Sequence, residues 1–137
     1  MQAVSGSRLD VTETIGSVGS WPDALAFNPA TGLLYATGYY SSTVVVINPR
    51  KGRVTAQIPV GSLPDAVAVD PGSDTVYAAN SAPGSISVIN GRTDKVTATI
   101  RVGNGPAGIA VDAGTKTGYV SDIQSDSVSV LALCGAR

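Results

Sequence analysis

Histidine is absent from this 137-residue chain, and cysteine occurs once, at Cys134. Without imidazole, the chain has no Ser-His or Cys-His catalytic pair, no histidine general base and no histidine-type zinc site. A single cysteine cannot form an internal disulfide, and we interpret it as an incidental thiol. Catalysis would have to rely on carboxylates, lysine, tyrosine or a borrowed cofactor, and we predict no cofactor. We therefore expect a binding protein and not an enzyme.

Charged residues and long apolar runs are also scarce. Only 14% of the residues are charged and the net charge is −1, so there is no general electrostatic case for a nucleic-acid partner. No apolar run approaches the ~20 residues that a transmembrane helix needs, and we predict no membrane span. Residues 1–8 lack the apolar core of a signal peptide. If the sequence is complete, it predicts a cytoplasmic protein.

What the chain has instead is a repeat of 42 residues. Val18-Gly19, Val60-Gly61 and Val102-Gly103 follow one another at this spacing. The same step separates four further columns, which are Pro22, Pro64 and Pro106; Asn28, Asp70 and Asp112; Tyr35, Tyr77 and Tyr119; and Val46, Val88 and Val130. Chance does not give five columns at one step, and a period of this length indicates a repeat architecture.

Each repeat predicts four short strands, named a to d in chain order. In the second repeat they cover residues 65–69, 75–79, 85–89 and 96–100, and hydroxyl and aliphatic side chains alternate in the last two. Asn or Asp opens the a-to-b turn, where its side chain can accept a bond from the backbone two residues on. No stretch has helical spacing. The predicted class is therefore all-β, with three four-stranded antiparallel units.

A tyrosine motif ends strand b of each repeat. It reads Tyr77-Ala-Ala-Asn80 in the second copy, Tyr119-Val-Ser-Asp122 in the third and Tyr35-Ala-Thr-Gly38 in the first. Together with the Val-Gly pair, this motif resembles the repeat of YVTN-type β-propeller proteins over residues 11–131. The resemblance implies WD40-like propeller blades that serve as a non-catalytic binding or protein-interaction scaffold. Many bacterial and archaeal members of this family are exported or lie on the cell surface, which would apply to this chain if it is a fragment. The alternative that the resemblance implies is a propeller enzyme, a lyase or lactonase-like hydrolase.

The repeats divide the chain into predicted segments. Residues 1–10 are expected to be a flexible start, 11–133 the three-blade repeat domain and 134–137 a tail. Within the domain we predict a strand d at 11–15 and blades at about 18–58, 60–100 and 102–133. Because propellers typically have about 4–8 blades, this arc is an incomplete ring unless it is oligomeric or part of a longer chain. Three alternatives stay open: further blades of a longer chain, self-association of two copies that exchange strand d, and a distorted monomer.

The d-to-a and b-to-c loops share one face of a propeller, and we place the candidate ligand site there. Its predicted members are Trp21, Asp23, Tyr39, Tyr40, Asp65, Asn80 and Asp122. Exposed aromatic rings beside carboxylates suit ammonium groups, basic peptides and sugars, so we expect a protein, peptide or carbohydrate ligand. In the competing interpretation, Trp21 caps the packing while the polar residues cap turns and shape loops.

No catalytic or metal-binding residue is predicted. The enzyme alternative requires Asp23, Asp65 and Tyr39 to come within hydrogen-bond reach of one another, directly or through a metal or water. The opposite face carries most of the basic residues, among them Arg50 and Lys116. An anionic partner would favour that face.

Overall fold

Eleven strands in three antiparallel sheets form the described part of the chain. The structure is a computed structural model, and it describes residues 10–133. The first sheet contains β1 (Pro22–Asn28), β2 (Leu33–Gly38), β3 (Thr43–Asn48) and β4 (Arg53–Pro59). The second contains β5 (Ser62–Asp70), β6 (Thr75–Ala82), β7 (Ser85–Asn90) and β8 (Lys95–Arg101). The third contains β9 (Pro106–Asp112), β10 (Thr117–Asp122) and β11 (Ser127–Ala132).

Within each sheet, every strand pairs with the strand that follows it in the chain. The all-β class is confirmed, and the four predicted strands appear in each of the first two sheets. The third sheet has only the a, b and c strands among the described residues, whereas four strands were predicted for each unit. No helix in this part of the chain is long and apolar enough to cross a membrane. The predicted tail at 134–137 and all of the predicted flexible start except Asp10 lie outside the described residues.

The turns between the first two strands of each sheet have the side-chain bond that the sequence predicts. The backbone N–H of Ala30 donates to Asn28 Oδ1 at 2.9 Å, and that of Gly72 donates to Asp70 Oδ1 at 3.2 Å. In the third sheet the N–H of Gly114 donates to Asp112 Oδ1 at 3.1 Å. This bond satisfies a backbone donor that has no partner in the strand ladder, and so it fixes where each strand ends.

The sheets pack face to face, and apolar residues fill the two spaces between them. Between the first and second sheets, Tyr35, Val46 and Ile58 pack with residues of the second sheet that include Ile89. Between the second and third sheets, the cluster includes Tyr77, Ile86, Val120 and Leu133. Since repeat units bury apolar surface only against their neighbours, each interface depends on the next sheet along the chain.

The repeated tyrosine shows where this burial stops. Tyr35 is 0% exposed and Tyr77 is 2% exposed, but Tyr119 is 43% exposed. Their shared place in the repeat predicts that all three tyrosines lie in the core, and this prediction is wrong for Tyr119. Its side of the third sheet, which also carries the exposed Val128 and Val130, is not covered by another sheet in the described structure. We refer to Tyr119, Val128 and Val130 as the third-sheet open face.

The segment before the first sheet also differs from the prediction. Residues 11–15 were expected to be a strand d, but residues 11–19 form no strand. Instead, Ile15 and Val18 pack against Ala36, Val45 and Ile47, on the side of the first sheet that faces away from the second. A strand forms only where an edge with unpaired backbone groups is within reach, and this segment lies across the face of a sheet.

Candidate ligand-binding site

The loops d-to-a and b-to-c lie side by side, as predicted. In the first sheet, the N–H of Tyr39 donates to Trp21 O at 3.1 Å, and in the third sheet the N–H of Ile123 donates to Gly105 O at 3.0 Å. In the second sheet the hydroxyl of Ser81 donates to Leu63 O at 2.9 Å. In each sheet these contacts bring the two loops together at the same end of the strands, and we call this end the loop face.

Three aromatic rings form a cluster on the loop face of the first sheet. Trp21 and Tyr40 meet edge to face with ring centroids 5.6 Å apart, and Tyr40 meets Tyr39 in the same manner at 4.9 Å. Trp21 is 64% exposed and Tyr40 is 63% exposed, while Tyr39 is half-buried. The cluster therefore presents aromatic surface to solvent in a fixed arrangement. The structure brings together these three of the predicted site residues.

Trp21 has a left-handed backbone conformation, with φ of 60°. The equivalent residues of the next two repeats, Leu63 and Gly105, have φ of 54° and 64°. The turn geometry of the repeat thus demands this conformation, which costs a non-glycine residue roughly 1–2 kcal/mol. The turn does not demand tryptophan, because leucine and glycine occupy the same position elsewhere in the chain.

Two carboxylates at equivalent positions of adjacent repeats lie close enough to interact. Burial, and then the negative charge of Asp23, raises the pKa of Asp65 to about 6. Asp65 Oδ1 is buried and accepts no hydrogen bond, whereas Asp23 is exposed. In the third repeat this position is Ala107. The acidic pair is therefore a property of the first two sheets.

Asn80 and Asp122 lie inside their own sheets. Asn80 Nδ2 donates to Ser85 Oγ at 3.1 Å and to Ser87 Oγ at 3.0 Å. Asp122 Oδ2 accepts a 2.6 Å bond from Ser129 Oγ. Asn80 and Asp122 are both buried, and their bonds hold the b-to-c loop to the following strand. The structure does not bring these two predicted site residues to the aromatic cluster.

The glycine of the repeated Val-Gly pair supports this arrangement, although the spacing of the pair alone did not indicate this role. A Cβ at Gly61 would lie 2.8 Å from Asn80 Nδ2, and a Cβ at Gly103 would lie 2.8 Å from Asp122 Cγ. Both distances are shorter than van der Waals contact, so only glycine fits beside the buried polar side chain. The signal was present in the sequence, since Gly61 and Gly103 recur with Asn80 and Asp122 in the same repeats.

On the opposite side, which we call the turn face, polar bonds join neighbouring sheets. Asn28 Nδ2 donates to Asp74 Oδ1 at 3.1 Å, and Lys116 Nζ donates to Asp70 Oδ2 at 2.9 Å. Burial of Asp70 opposes its ionisation, but the bonds from Lys116 and Ser73 outweigh it and lower the pKa of Asp70. Each bond joins residues 46 positions apart. The charges on this face are visible in the sequence, but the pairs that they form are not.

The enzyme alternative depends on contacts among three side chains of the loop face. Asp23, Asp65 and Tyr39 make no hydrogen bond to one another in the described structure. Among residues 10–133, no group of three or more histidine, cysteine, aspartate or glutamate side chains could hold a metal ion. What the first sheet offers chemically is an exposed aromatic surface, with the exposed Asp23 two residues after Trp21 in the chain.

Comparison with solved structures identifies a shared fold. The chain is similar to hydrazine synthase of Kuenenia stuttgartiensis, with a TM-score of 0.78 and 23% sequence identity. The match covers 92% of this chain and 36% of that chain, so this chain spans about a third of its neighbour's length. In all, 831 solved chains match this fold, which means that likeness at this level of identity carries no activity across. No protein-family model matches the chain, and neither does any curated protein.

Proposed function

We propose that this chain is a non-catalytic binding module built on YVTN-type β-propeller repeats, with each sheet serving as one blade. The repeat motifs, the meander order within each sheet and the face-to-face packing support this assignment. In this proposal the loop face of the first two sheets binds a cationic group of a peptide or protein. The aromatic cluster and the Asp23–Asp65 pair form the site.

The exposed pair of rings is the observation that carries the proposal. Trp21 and Tyr40 leave large apolar surfaces in water, although the turn conformation at Trp21 is also compatible with leucine or glycine. Exposed aromatic surface of this kind marks interaction sites. An ammonium or guanidinium group over such rings gains about 0.5–1 kcal/mol per ring at exposed sites. The carboxylates of Asp23 and Asp65 also attract the cationic group.

Trp21 makes this proposal directly testable, because it is the single tryptophan of the chain. Titration with a tetralysine peptide should change the intensity or wavelength of its emission, and tetraglutamate of the same length should not. Replacement Tyr40→Ala should weaken tetralysine binding about 2- to 5-fold, as loss of one cation–π contact predicts. Tyr40→Phe keeps the ring and is the matched control, with an affinity close to that of the unmodified chain.

The same titration has two outcomes that contradict the proposal. One is an emission change with a neutral oligosaccharide and none with tetralysine, which would assign the cluster to carbohydrate. The other is equal weakening by Tyr40→Ala and Tyr40→Phe, since a cation–π site depends on the ring and not on the hydroxyl.

A further inference from the structure

The third sheet has an unpaired edge in the described structure. Strand β11 pairs with β10 on one side only, whereas the equivalent strands β3 and β7 pair on both sides. A cavity of about 230 Å³ lies between the second and third sheets, and it is lined by residues that include Tyr77, Ala98 and Leu133. Unpaired strand edges are ready-made sites for an added strand.

The sequence of residues 11–15 matches the strand that would fill this place. It differs from residues 96–100 of β8 only in having Glu13 where β8 has Ala98. Pro22 follows Ile15 by seven residues, and Pro106 follows Ile100 by six. Residues 16–21 therefore have nearly the length of the segment that already joins β8 in one sheet to β9 in the next. By sequence and by linker length, residues 11–15 could therefore form the fourth strand of a sheet that packs beside the first sheet.

The two ends of the arc are also complementary in their apolar surfaces. On the first sheet, the side that faces away from the second exposes Leu25 and Phe27. Their equivalents in the second sheet, Val67 and Val69, pack in the cluster that buries Tyr35. Tyr119 is the equivalent of Tyr35. The third-sheet open face could therefore pack on Leu25 and Phe27 as the Tyr35 side of the first sheet packs on Val67 and Val69.

Charge on the turn face points to the same pairing. Asp112 is the equivalent of Asn28 and Asp70, which bond to Asp74 and Lys116 of the next sheet. In the first sheet, Gly32 occupies the position of Asp74 and Lys116, and Arg50 Nη1 lies 3.1 Å from where its Cβ would be. The exposed guanidinium of Arg50 thus fills the space from which Lys116 contacts Asp70. It would meet Asp112 if a first sheet were placed beside a third sheet.

From these observations we propose that the third-sheet open face and the free edge of β11 bind a second copy of this chain. The first sheet of each copy packs on the third sheet of the other, and residues 11–15 of each copy leave their own first sheet and pair with β11 of the other as its fourth strand. The contact occurs twice around a two-fold axis, so the assembly closes at two copies and six sheets. This inference does not depend on the ligand of the loop face.

Solution mass and two matched variants test the proposal. By sedimentation equilibrium at about 10–100 µM, concentrations at which exposed apolar surfaces and strand edges associate, the unmodified chain should have twice its 13.7 kDa mass. Val130→Asp places a charge in the interface and should give a monomer, while Thr93→Asp on an exposed turn should leave the dimer intact. Val130 is already exposed, so the variant is expected to fold, and a β-sheet circular dichroism spectrum checks this.

A second pair of variants separates strand exchange from other contacts. Successive residues of a strand point their N–H groups to opposite edges, so one of residues 13 and 14 would donate to β11. The double variant Glu13→Pro, Thr14→Pro removes both donors and should shift the dimer to monomer. Glu13→Ala with Thr14→Val keeps them and should retain the dimer. Any of three results would overturn the proposal. The unmodified chain could be a monomer at about 100 µM, it could form a ladder of higher oligomers, or its dimer could be left unchanged by the proline variant.

Discussion

The space between the first and second sheets and the third-sheet open face are built from the same repeat columns, but only the first is covered. Tyr35 and Val46 are buried against the second sheet, whereas their equivalents Tyr119 and Val130 lie open to solvent. The side chains are the same, and the difference is the presence of a neighbouring sheet. Burial in this fold is thus set by what stands next to a repeat and not by the repeat's own sequence.

The largest expected effect comes from truncating the buried tyrosine. Tyr35→Ala removes a fully buried aromatic side chain and should lower the free energy of unfolding by about 3–5 kcal/mol. Tyr119→Ala should cost less than about 1 kcal/mol when measured in the Val130→Asp background, where the open face stays uncovered. Urea unfolding of both variants measures the difference.

Tyr35→Phe is the control for this comparison. The hydroxyl of Tyr35 is buried without a hydrogen-bond partner, and burial, followed by the charges of Asp74 and Asp94, raises its pKa to about 12. Removing this hydroxyl should therefore leave the stability unchanged or increase it. Equal losses from Tyr35→Ala and Tyr119→Ala would contradict the idea that the two environments differ.

The ion pair at the second interface should give an intermediate effect. Lys116→Met leaves the buried carboxylate of Asp70 without its cation, which should lower the free energy of unfolding by about 2 kcal/mol at pH 7. Lys95→Met changes an exposed lysine and should stay within about 0.5 kcal/mol of the unmodified chain. Chemical denaturation of the two variants provides the comparison.

The pH dependence of this effect has a definite sign. The folded pKa of Asp70 lies below the ordinary value of 3.8, so its stabilising contribution is complete above pH 3.8 and is lost as the pH falls through the folded pKa. The loss caused by Lys116→Met should therefore shrink in strong acid. A loss of the same size at pH 7 and in strong acid would mean that the ion pair is not its cause.

The smallest effect is expected at Asp65, and it has the opposite sign. Its folded pKa of about 6 lies above the ordinary value of 3.8, so folding favours the protonated form and stability falls as the pH rises from 3.8 to 6. Asp65→Asn should thus stabilise the chain at pH 7, by about 1 kcal/mol after allowance for solvent screening. At pH 4 the variant and the unmodified chain should melt within about a degree of each other. A lower melting temperature at pH 7 would show that the carboxylate stabilises the fold.

Much of the local structure could be predicted from the sequence because the repeat specifies it locally. The spacing of Asn28, Asp70 and Asp112 predicted the turns, and the strands follow from alternating side chains between them. The exposure of Tyr119 could not be predicted from the tyrosine itself, since it depends on how many sheets stand side by side. Residues 11–15 have the sequence of a strand, but their pairing depends on an edge elsewhere in space.

The positions of the candidate residues could be predicted in part, for a similar reason. Trp21, Tyr39 and Tyr40 lie close in sequence or in paired loops, so their clustering follows from the order of strands. Asn80 and Asp122 were predicted to be in the site because of their loop position. In the structure they are buried, because they hydrogen-bond to hydroxyl groups at the following strand. The raised pKa of Asp65 depends on burial and on Asp23 in another sheet, and neither is visible in a local motif.

Backbone hydrogen exchange of β11 tests most directly whether a second copy of the chain covers the third-sheet open face. At high protein concentration, the amides of β11 should become about as protected as those of β3 and β7, and Val130→Asp should abolish this protection. Fast exchange of β11 at every concentration, beside slow exchange of β3 and β7, would contradict the account.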